Sequence, residues 1–218
     1  MNTSGFPHKY CIKSGTYHVN GAELSMKLNE YGEYIPHIQG NAADATLLDA
    51  MSNQDINEDV IADELFARIP QIKKNPLIGY YKSLYAGYVS EGNYRRNASS
   101  GGMGTWIFKE LFERGLIDGV IHVKPANDGD GILFKYAISR SIEEIQAGAK
   151  TKYYPAELSQ VLKIVLEVPG KYAVIGIPSF IMEVRLLAKY NPIIKERIAF
   201  TIGLICGHQK TTQYAEAL

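Results

Sequence analysis

The sequence predicts an α/β fold, in which a mixed, partly parallel sheet is flanked by helices and follows a small irregular N-terminal segment. Two observations predict this arrangement. After residue 83, short β-prone segments alternate with amphipathic helical segments, and connections that contain helices return the chain to parallel strands. The first 40 residues, by contrast, are rich in Gly, Asn, Tyr and His and show little apolar periodicity.

Two strands and two short helices are expected in the N-terminal unit, residues 1–76. The strands form a hairpin and are Leu24–Leu28 and Glu33–Ile38, and the helices are Ala42–Met51 and Val60–Ile69. The hairpin turns at Glu30-Tyr31-Gly32, where glycine permits a tight reversal. Asn75-Pro76 ends the segment that contains both helices, because this dipeptide marks a turn or loop. We therefore place a domain boundary near Pro76.

The second unit, residues 77–218, carries the alternation of strands and helices. Strands are expected at Ser83–Ser90, Ile117–Val123, Ile132–Ser139, Lys171–Ile175 and Ile198–Ile205. Helices are expected at Ser100–Arg114, Leu158–Leu166 and Phe180–Tyr190, where apolar residues recur three and four positions apart. Gly115 ends the first of these helices and Asn191-Pro192 ends the last.

Composition and charge argue against several functions. The chain has 218 residues, of which 46% are apolar, and this length fits one domain or one and a half. Its 23 basic residues balance 23 acidic ones, which argues against nucleic-acid binding. No apolar run approaches the roughly 18 residues that span a bilayer, and residues 1–10 contain no signal-peptide core. We expect a cytoplasmic protein without membrane insertion, and the oligomeric state stays open.

The loop Arg95–Gly102 precedes the first helix of the second unit. Ser99, Ser100, Gly101 and Gly102 leave backbone N–H groups approachable, and Arg96 adds positive charge, which suits a cofactor phosphate. Alternatively, the loop only caps the helix, and its glycines allow another backbone to pack closely. Residues 101–104 match neither the dinucleotide fingerprint nor a P-loop.

Two further loops contain candidate binding residues. Lys150 and Lys152 can clamp a phosphate and Tyr153 can stack on a flat ring, although a solvated basic loop before a Pro-started helix is an equal alternative. Gly176, Pro178 and Ser179 follow a buried strand, where Ser179 can instead cap the next helix. The GxSxG pattern is absent, so serine hydrolysis is not expected.

The last strand leads to Cys206 and His208. A lone cysteine at a strand end is usually a small buried residue, whereas His208 is a weak candidate for a catalytic proton relay. Cys11 is the only other cysteine, so the chain has neither a metal knuckle nor a disulfide framework. The remaining histidines show no metal-ligand spacing, and we assign no metal ligand.

Four motifs, in order and in spacing, resemble the beta-subunit family of coenzyme F420 hydrogenases and dehydrogenases, particularly bacterial members of unassigned function. They read YRRNASSGGMGTWIFKELFERGLIDGVIHVKP, AISRSIEEIQAGAKTKYYPAELSQVL, YAVIGIPSFI and TIGLICGHQKT. The resemblance implies a flavin-binding domain over residues 77–218, with FAD as cofactor and a redox small molecule or an electron-carrier protein as partner. It further implies that the flavin contacts Arg96, Ser99, Ser100, Gly101, Gly102, Lys150, Lys152, Tyr153, Gly176, Pro178 and Ser179.

Departures from the family pattern concern its cysteines. Members begin with a ferredoxin-like stretch, CxxCxxCxxxCP, of which only Cys11 remains, and Ser14, Tyr17 and Gly21 stand at the other positions. Ser179 stands where members usually carry a cysteine. We therefore expect residues 1–76 to be a degenerate ferredoxin-like segment without an iron–sulfur cluster. The end at Leu218 predicts truncation relative to the family.

Two functions fit this combination of motifs and losses. The first is an FAD-dependent oxidoreductase domain that passes hydride or electrons between a reduced cofactor and an unknown acceptor without its own cluster. The second is a catalytically silent accessory or scaffold protein of the same family, linked to surface-polysaccharide synthesis.

Overall fold

A four-stranded mixed sheet forms the centre of the second unit. The computed structural model describes residues 15–16, 24–38, 58–126, 129, 131–206 and 210–217. In chain order its elements are β1 (Leu24–Leu28), β2 (Tyr34–Ile38), α1 (Glu58–Phe66), β3 (Lys73–Asn75), β4 (Gly79–Tyr81), α2 (Met103–Glu113), β5 (Gly119–Pro125), β6 (Phe134–Ser139), α3 (Ile142–Ala147), α4 (Ser159–Glu167), β7 (Tyr172–Gly176), α5 (Pro178–Tyr190), α6 (Pro192–Arg197), β8 (Ile198–Gly203) and α7 (Thr212–Glu216).

The strand order of the sheet is β6-β5-β7-β8, so the predicted mixed topology is confirmed. β5 pairs antiparallel with β6 and parallel with β7, and β7 pairs parallel with β8. The three parallel strands therefore end at one edge, which we call the carboxyl edge. The register places Tyr136 opposite Val123 and Gly176 opposite Gly203 near this edge.

Apolar side chains pack on both faces of the sheet. One face is covered by α4, α5 and α6, and its core includes Ile121, Leu162, Val174, Val184 and Ile194. The other face is covered by α2 and α3, and its core includes Phe108, Val120, Ile145 and Ala173. Burial of each such aliphatic side chain stabilises the fold by about 1.5–3 kcal/mol.

Two small hairpins lie outside this sheet. β1 and β2 pair with Leu28 opposite Tyr34, which confirms the predicted hairpin, and Gly32 adopts a φ of 69° in its turn. β3 and β4 form a second hairpin, which was not predicted, and the proposed domain boundary near Pro76 falls within its turn. The predicted helix Ala42–Met51 lies outside the described residues, and the division into two domains stays a prediction.

The predicted strand Ser83–Ser90 is wrong. Residues 83–90 run extended, but no neighbouring strand pairs with them in the described part of the chain. Their β-prone composition misled the prediction, because a strand also requires a partner. Ser179 does not cap α5 either: Ile177 is the N-cap residue and Pro178 opens the helix, where its fixed φ suits the first turn.

Candidate functional site

Four loops that the sequence singles out meet at the carboxyl edge. The Ser99 hydroxyl accepts a hydrogen bond of 3.0 Å from the Thr151 N–H and so joins the first two loops. Gly104, at the start of α2, lies against the Ile175 side chain at the end of β7. The Leu204 N–H donates to the Gly176 carbonyl at 2.8 Å, which joins the ends of β7 and β8. Gly104 and Ile175, although 71 positions apart in the sequence, are therefore neighbours here.

Helices α2 and α5 begin at this edge, on opposite faces of the sheet, and both N-termini lack a side-chain cap. Neither helix has an acidic residue in its first turn. Helices that begin at the opposite edge are capped: Ser141 caps α3, which has Glu143 and Glu144 in its first turn, and Asn191 caps α6. Uncapped N–H groups carry partial positive charge, so the carboxyl edge favours an anion.

Arg96, Ser100 and Lys150 lie exposed beside the start of α2. Within the ranges that the structure covers, neither Arg96 nor Lys150 forms an ion pair. Both cations therefore strengthen the positive potential of this edge.

Gly101 and Gly102 are required by the chain's own packing. A Cβ atom on Gly101 would lie 3.0 Å from the Gly87 carbonyl oxygen. Gly102 is the N-cap residue of α2 and adopts a φ of 80°, which side-chain-bearing residues rarely adopt. These contacts support the packing interpretation for both glycines, and their predicted contact with a cofactor stays a prediction.

Lys152 holds the loop that follows α3. Its ammonium group donates to the carbonyl oxygens of Gly148 at 2.8 Å and Lys150 at 2.9 Å, and also to that of Ala149. Burial lowers the pKa of Lys152, and the charge of Lys150 lowers it further. All three ammonium hydrogens can serve these carbonyls, so Lys152 orients its own loop rather than extending toward a ligand.

The two tyrosines of this loop differ in exposure. Tyr153 is exposed and contacts Tyr214 edge to face, with ring centroids 6.2 Å apart. Tyr154 is buried against Phe134 at 5.7 Å. Only the Tyr153 ring is therefore placed to stack on a ligand.

His122, which the sequence analysis set aside, lies directly beneath the loop. A Cβ atom on Gly148 would overlap its imidazole ring, and its Nε2 atom lies 2.7 Å from the Ser139 hydroxyl. Burial, together with the charges of Lys124 and Lys152, lowers the pKa of His122 to about 4. The ring is therefore neutral near pH 7 and packs as part of the fold.

Tyr136 is a further residue that the sequence analysis missed. Its ring is buried beside Phe180, and its hydroxyl lies 3.1 Å from where a Cβ atom on Gly176 would stand, close to the start of α5. Burial raises its pKa, so the group stays protonated and can donate a hydrogen bond. Tyr136 reaches this place because β6 pairs with β5 in a register that sets Tyr136 opposite Val123. That register is not evident from the sequence.

The remaining candidate residues follow β7 and β8. Gly176 is buried, Ser179 is half-buried in the first turn of α5, and Pro178 is exposed. Cys206 is exposed, contrary to the expected burial, because the chain has left β8 by residue 203. His208 lies outside the described residues. Among the residues that the structure describes, no group of three or more His, Cys, Asp or Glu side chains could hold a metal ion.

A mixed sheet flanked by helices, with two uncapped helix N-termini at its carboxyl edge, defines an α/β domain, and ligands of open α/β sheets bind at such edges. Models of the N-terminal and C-terminal regions of the coenzyme F420 hydrogenase/dehydrogenase beta subunit match residues 84–163 and 170–218, which together exceed half of the chain. The protein therefore belongs to this family.

Two relatives illustrate the similarity. The beta subunit of an F420-dependent formate dehydrogenase from Methanocaldococcus jannaschii is 34% identical over 120 residues, which cover 55% of this chain and 31% of that subunit. A chain of the F420-reducing nickel–iron hydrogenase complex from Methanosarcina barkeri superposes with a TM-score of 0.52 at 23% identity, over 60% of this chain and 46% of that one. The chain thus matches less than half the length of either relative.

Within the described ranges, no helix has the length and apolarity needed to cross a membrane.

Proposed function

We propose that residues 77–218 bind FAD at the carboxyl edge and pass hydride or electrons between a redox small molecule and an electron-carrier protein. The proposal includes no iron–sulfur cluster in this chain. Family membership supports an oxidoreductase role, since the relatives named above belong to an F420-dependent dehydrogenase and an F420-reducing hydrogenase.

One observation carries the proposal: α2 and α5 both direct uncapped N-termini without acidic residues to the same edge. Helix N-termini bind phosphate because their N–H groups and the helix dipole both favour negative charge. A dinucleotide such as FAD carries a pyrophosphate, whose negative charge suits an edge where uncapped helix N-termini begin. The whole chain has no net charge, so the attraction for phosphate comes from the helix N-termini and from the exposed Arg96 and Lys150 beside α2.

Each residue of the site has a defined part in binding. Arg96 and the Ser100 hydroxyl provide hydrogen-bond donors for phosphate oxygens beside α2, and Tyr153 offers an exposed ring for stacking. Ser99 and Lys152 hold the two loops in position through their bonds to backbone groups. Gly176 and the first turn of α5 form the opposite wall, where the Tyr136 hydroxyl can donate a hydrogen bond to an oxygen of the ligand. The bound flavin supplies the redox chemistry, accepting a hydride and returning electrons.

The absence of a cluster follows from the ligands available. Iron–sulfur clusters are held by several thiolates, and this chain has two cysteines, Cys11 and Cys206. Serine, tyrosine and glycine stand at the other positions of the cysteine motif, and none of these is a comparable ligand for iron.

FAD affinity, measured by titration calorimetry, tests the binding site. We expect Arg96→Ala to weaken FAD binding by about 1–3 kcal/mol, or about 5- to 150-fold, through loss of a charged hydrogen bond. Arg114→Ala is the matched control, because Arg114 is an exposed arginine at the far end of the same helix. Equal affinities of the two variants would remove Arg96 from the site.

Anaerobic mixing of the FAD-loaded protein with reduced F420 tests the redox function. Loss of the visible absorbance of oxidised flavin is the expected result. If FAD binds but is reduced by neither F420 nor NADPH, the domain is a silent member of its family.

A further inference from the structure

Residues 83–90 form an extended segment whose backbone is almost entirely unpaired. Within the part of the chain that the structure describes, its one backbone hydrogen bond runs from the Val89 N–H to the Gly101 carbonyl, at 2.9 Å. Such a segment resembles the edge strand of a sheet, because its N–H and carbonyl groups are available to another extended chain. Its sequence, SLYAGYVS, has the β-prone composition of a paired strand.

Large apolar side chains of this segment are exposed to solvent. Leu84 is 71% exposed, Tyr85 88% and Tyr88 58%. Isolated exposed residues need no explanation, but a run of three in an extended segment with an unpaired backbone is typical of an interaction surface.

A surface pocket adjoins the segment at the start of α2. It has a volume of about 230 Å³ and is lined by Tyr88, Val89, Ser90, Glu91, Met103 and Trp106. The Trp106 indole N–H donates to the Glu91 carboxylate at 2.5 Å, which fixes the indole as one wall. This volume lies below the roughly 300–1,000 Å³ of small-molecule sites, so the pocket fits one apolar side chain better than a nucleotide.

Basic residues without an ion pair flank this surface. Between residues 73 and 109 the chain has six basic residues and one acidic residue, Glu91. Lys74 is paired with Asp63, and Lys109 with Glu110 and Glu113, whereas Lys82, Arg95 and Arg96 form no ion pair within the described ranges. Glu91 is already engaged by Trp106 and lies 3.6 Å from Lys109, whereas the Arg95 guanidinium covers the Tyr88 ring at 3.9 Å. A complementary ligand is therefore acidic.

We propose that residues 83–90 bind an extended acidic segment of a partner protein, which adds to them as a β-strand and inserts one apolar side chain beside Trp106. Main-chain hydrogen bonds supply affinity in this mode of recognition, and the pocket and the basic residues supply specificity. A second copy of this chain is the less favourable occupant, because it would present the same cations, Lys82, Arg95 and Arg96, instead of acidic residues. The proposal goes beyond flavin binding and does not depend on it.

Trp106 offers a direct readout, since it is the one tryptophan of the chain and lines the pocket. The probe is a short synthetic peptide in which Glu alternates with Val around a central Phe, titrated into the purified protein while tryptophan fluorescence is recorded. We expect a saturable fluorescence change that weakens with added salt. A peptide with Lys in place of Glu, and one with alternate amides N-methylated, should leave the fluorescence unchanged.

Variants test whether the peptide binds at residues 83–90. We expect Tyr85→Ser to weaken peptide binding about tenfold or more, as truncation of a central interface residue does. Leu116→Ser is the matched control: Leu116 is 47% exposed and lies beyond the opposite end of α2, so its loss should leave the affinity unchanged. Chemical denaturation of both variants checks that the fold is retained.

Three results would overturn the proposal. The acidic peptide could fail to bind, the Lys or N-methylated peptide could bind equally well, or both serine variants could bind with wild-type affinity. A dimer in sedimentation velocity that Tyr85→Ser converts to monomer would instead identify a second copy as the occupant. FAD affinity is unaffected by any of these results, so the two proposals fail separately.

Discussion

His122 offers a quantitative test of the packing beneath the 148–154 loop. Its ring is 5% exposed, lies edge to face against Phe108 with centroids 6.5 Å apart, and shares a hydrogen bond with Ser139. Burial and the nearby charges of Lys124 and Lys152 lower its pKa from 6.5 to about 4. The folded protein therefore keeps this imidazole neutral at pH values where the unfolded chain protonates it.

The sign and the size of the effect follow from this difference. Between pH 6.5 and 4 the unfolded state binds more protons, so the free energy of unfolding falls as the pH is lowered through that window. A gap of about 2.5 pH units at about 1.36 kcal/mol per unit amounts to about 3 kcal/mol. About 2 kcal/mol of this is lost between pH 7 and pH 5, before most carboxylates titrate.

Urea unfolding of the wild type and of His122→Gln at both pH values measures the effect. The variant removes the titrating group, so we expect it to lose about 2 kcal/mol less stability than the wild type between pH 7 and pH 5. Equal losses in both proteins would refute the reasoning, as would an imidazole resonance of His122 that titrates near its ordinary pKa in the folded protein.

Three further predictions use chemical denaturation at neutral pH. Ser99→Ala should cost about 0.5–1.5 kcal/mol because it removes the acceptor that joins two loops, whereas the neighbouring Ser100→Ala should change stability by less than about 0.5 kcal/mol. Gly148→Ala should cost about 1–3 kcal/mol because the added methyl overlaps the buried imidazole, while Gly104→Ala, in ordinary contact inside α2, should be neutral or stabilise by up to about 1 kcal/mol. Tyr136→Phe should alter stability by less than about 1 kcal/mol but weaken FAD binding, since its hydroxyl is available to a ligand. Equal effects within either matched pair, or an unchanged FAD affinity for Tyr136→Phe, would contradict these assignments.

Much of the sheet and its helices could be predicted because burial imposes periodic patterns on them. β5 to β8, α2, α4 and α5 all occur within a few residues of their expected positions. The prediction failed at residues 83–90, where the composition favours a strand but no strand among the described residues pairs with them.

Three short helices, α3, α6 and α7, were missed, although the sequence carries signals for the first two. Ser141 and Glu144 are spaced as in a capping box, and Ser141 does accept a bond from the Glu144 N–H at α3. Asn191-Pro192 predicts the end of α5, but Asn191 also caps α6 and the proline opens it. The same dipeptide thus ends one helix and starts the next.

The candidate site could be predicted only in part. The resemblance identified the loops, but their contacts depend on distances that sequence does not encode, such as the bond between Ser99 and Thr151, which are 52 residues apart. The role of Lys152 was also hidden, because it depends on three carbonyl groups that converge only when the loop closes on α3. Tyr136 reaches the site through pairing across the sheet, which no local pattern indicates.

Hydrogen exchange with and without FAD measures whether a flavin binds at the carboxyl edge. We predict that FAD slows amide exchange in residues 96–105, 148–154 and 176–181, which include both uncapped helix N-termini. Exchange in residues 83–90 should be unchanged. Saturating FAD that leaves the three segments unprotected, or that protects only residues elsewhere in the chain, would contradict the account.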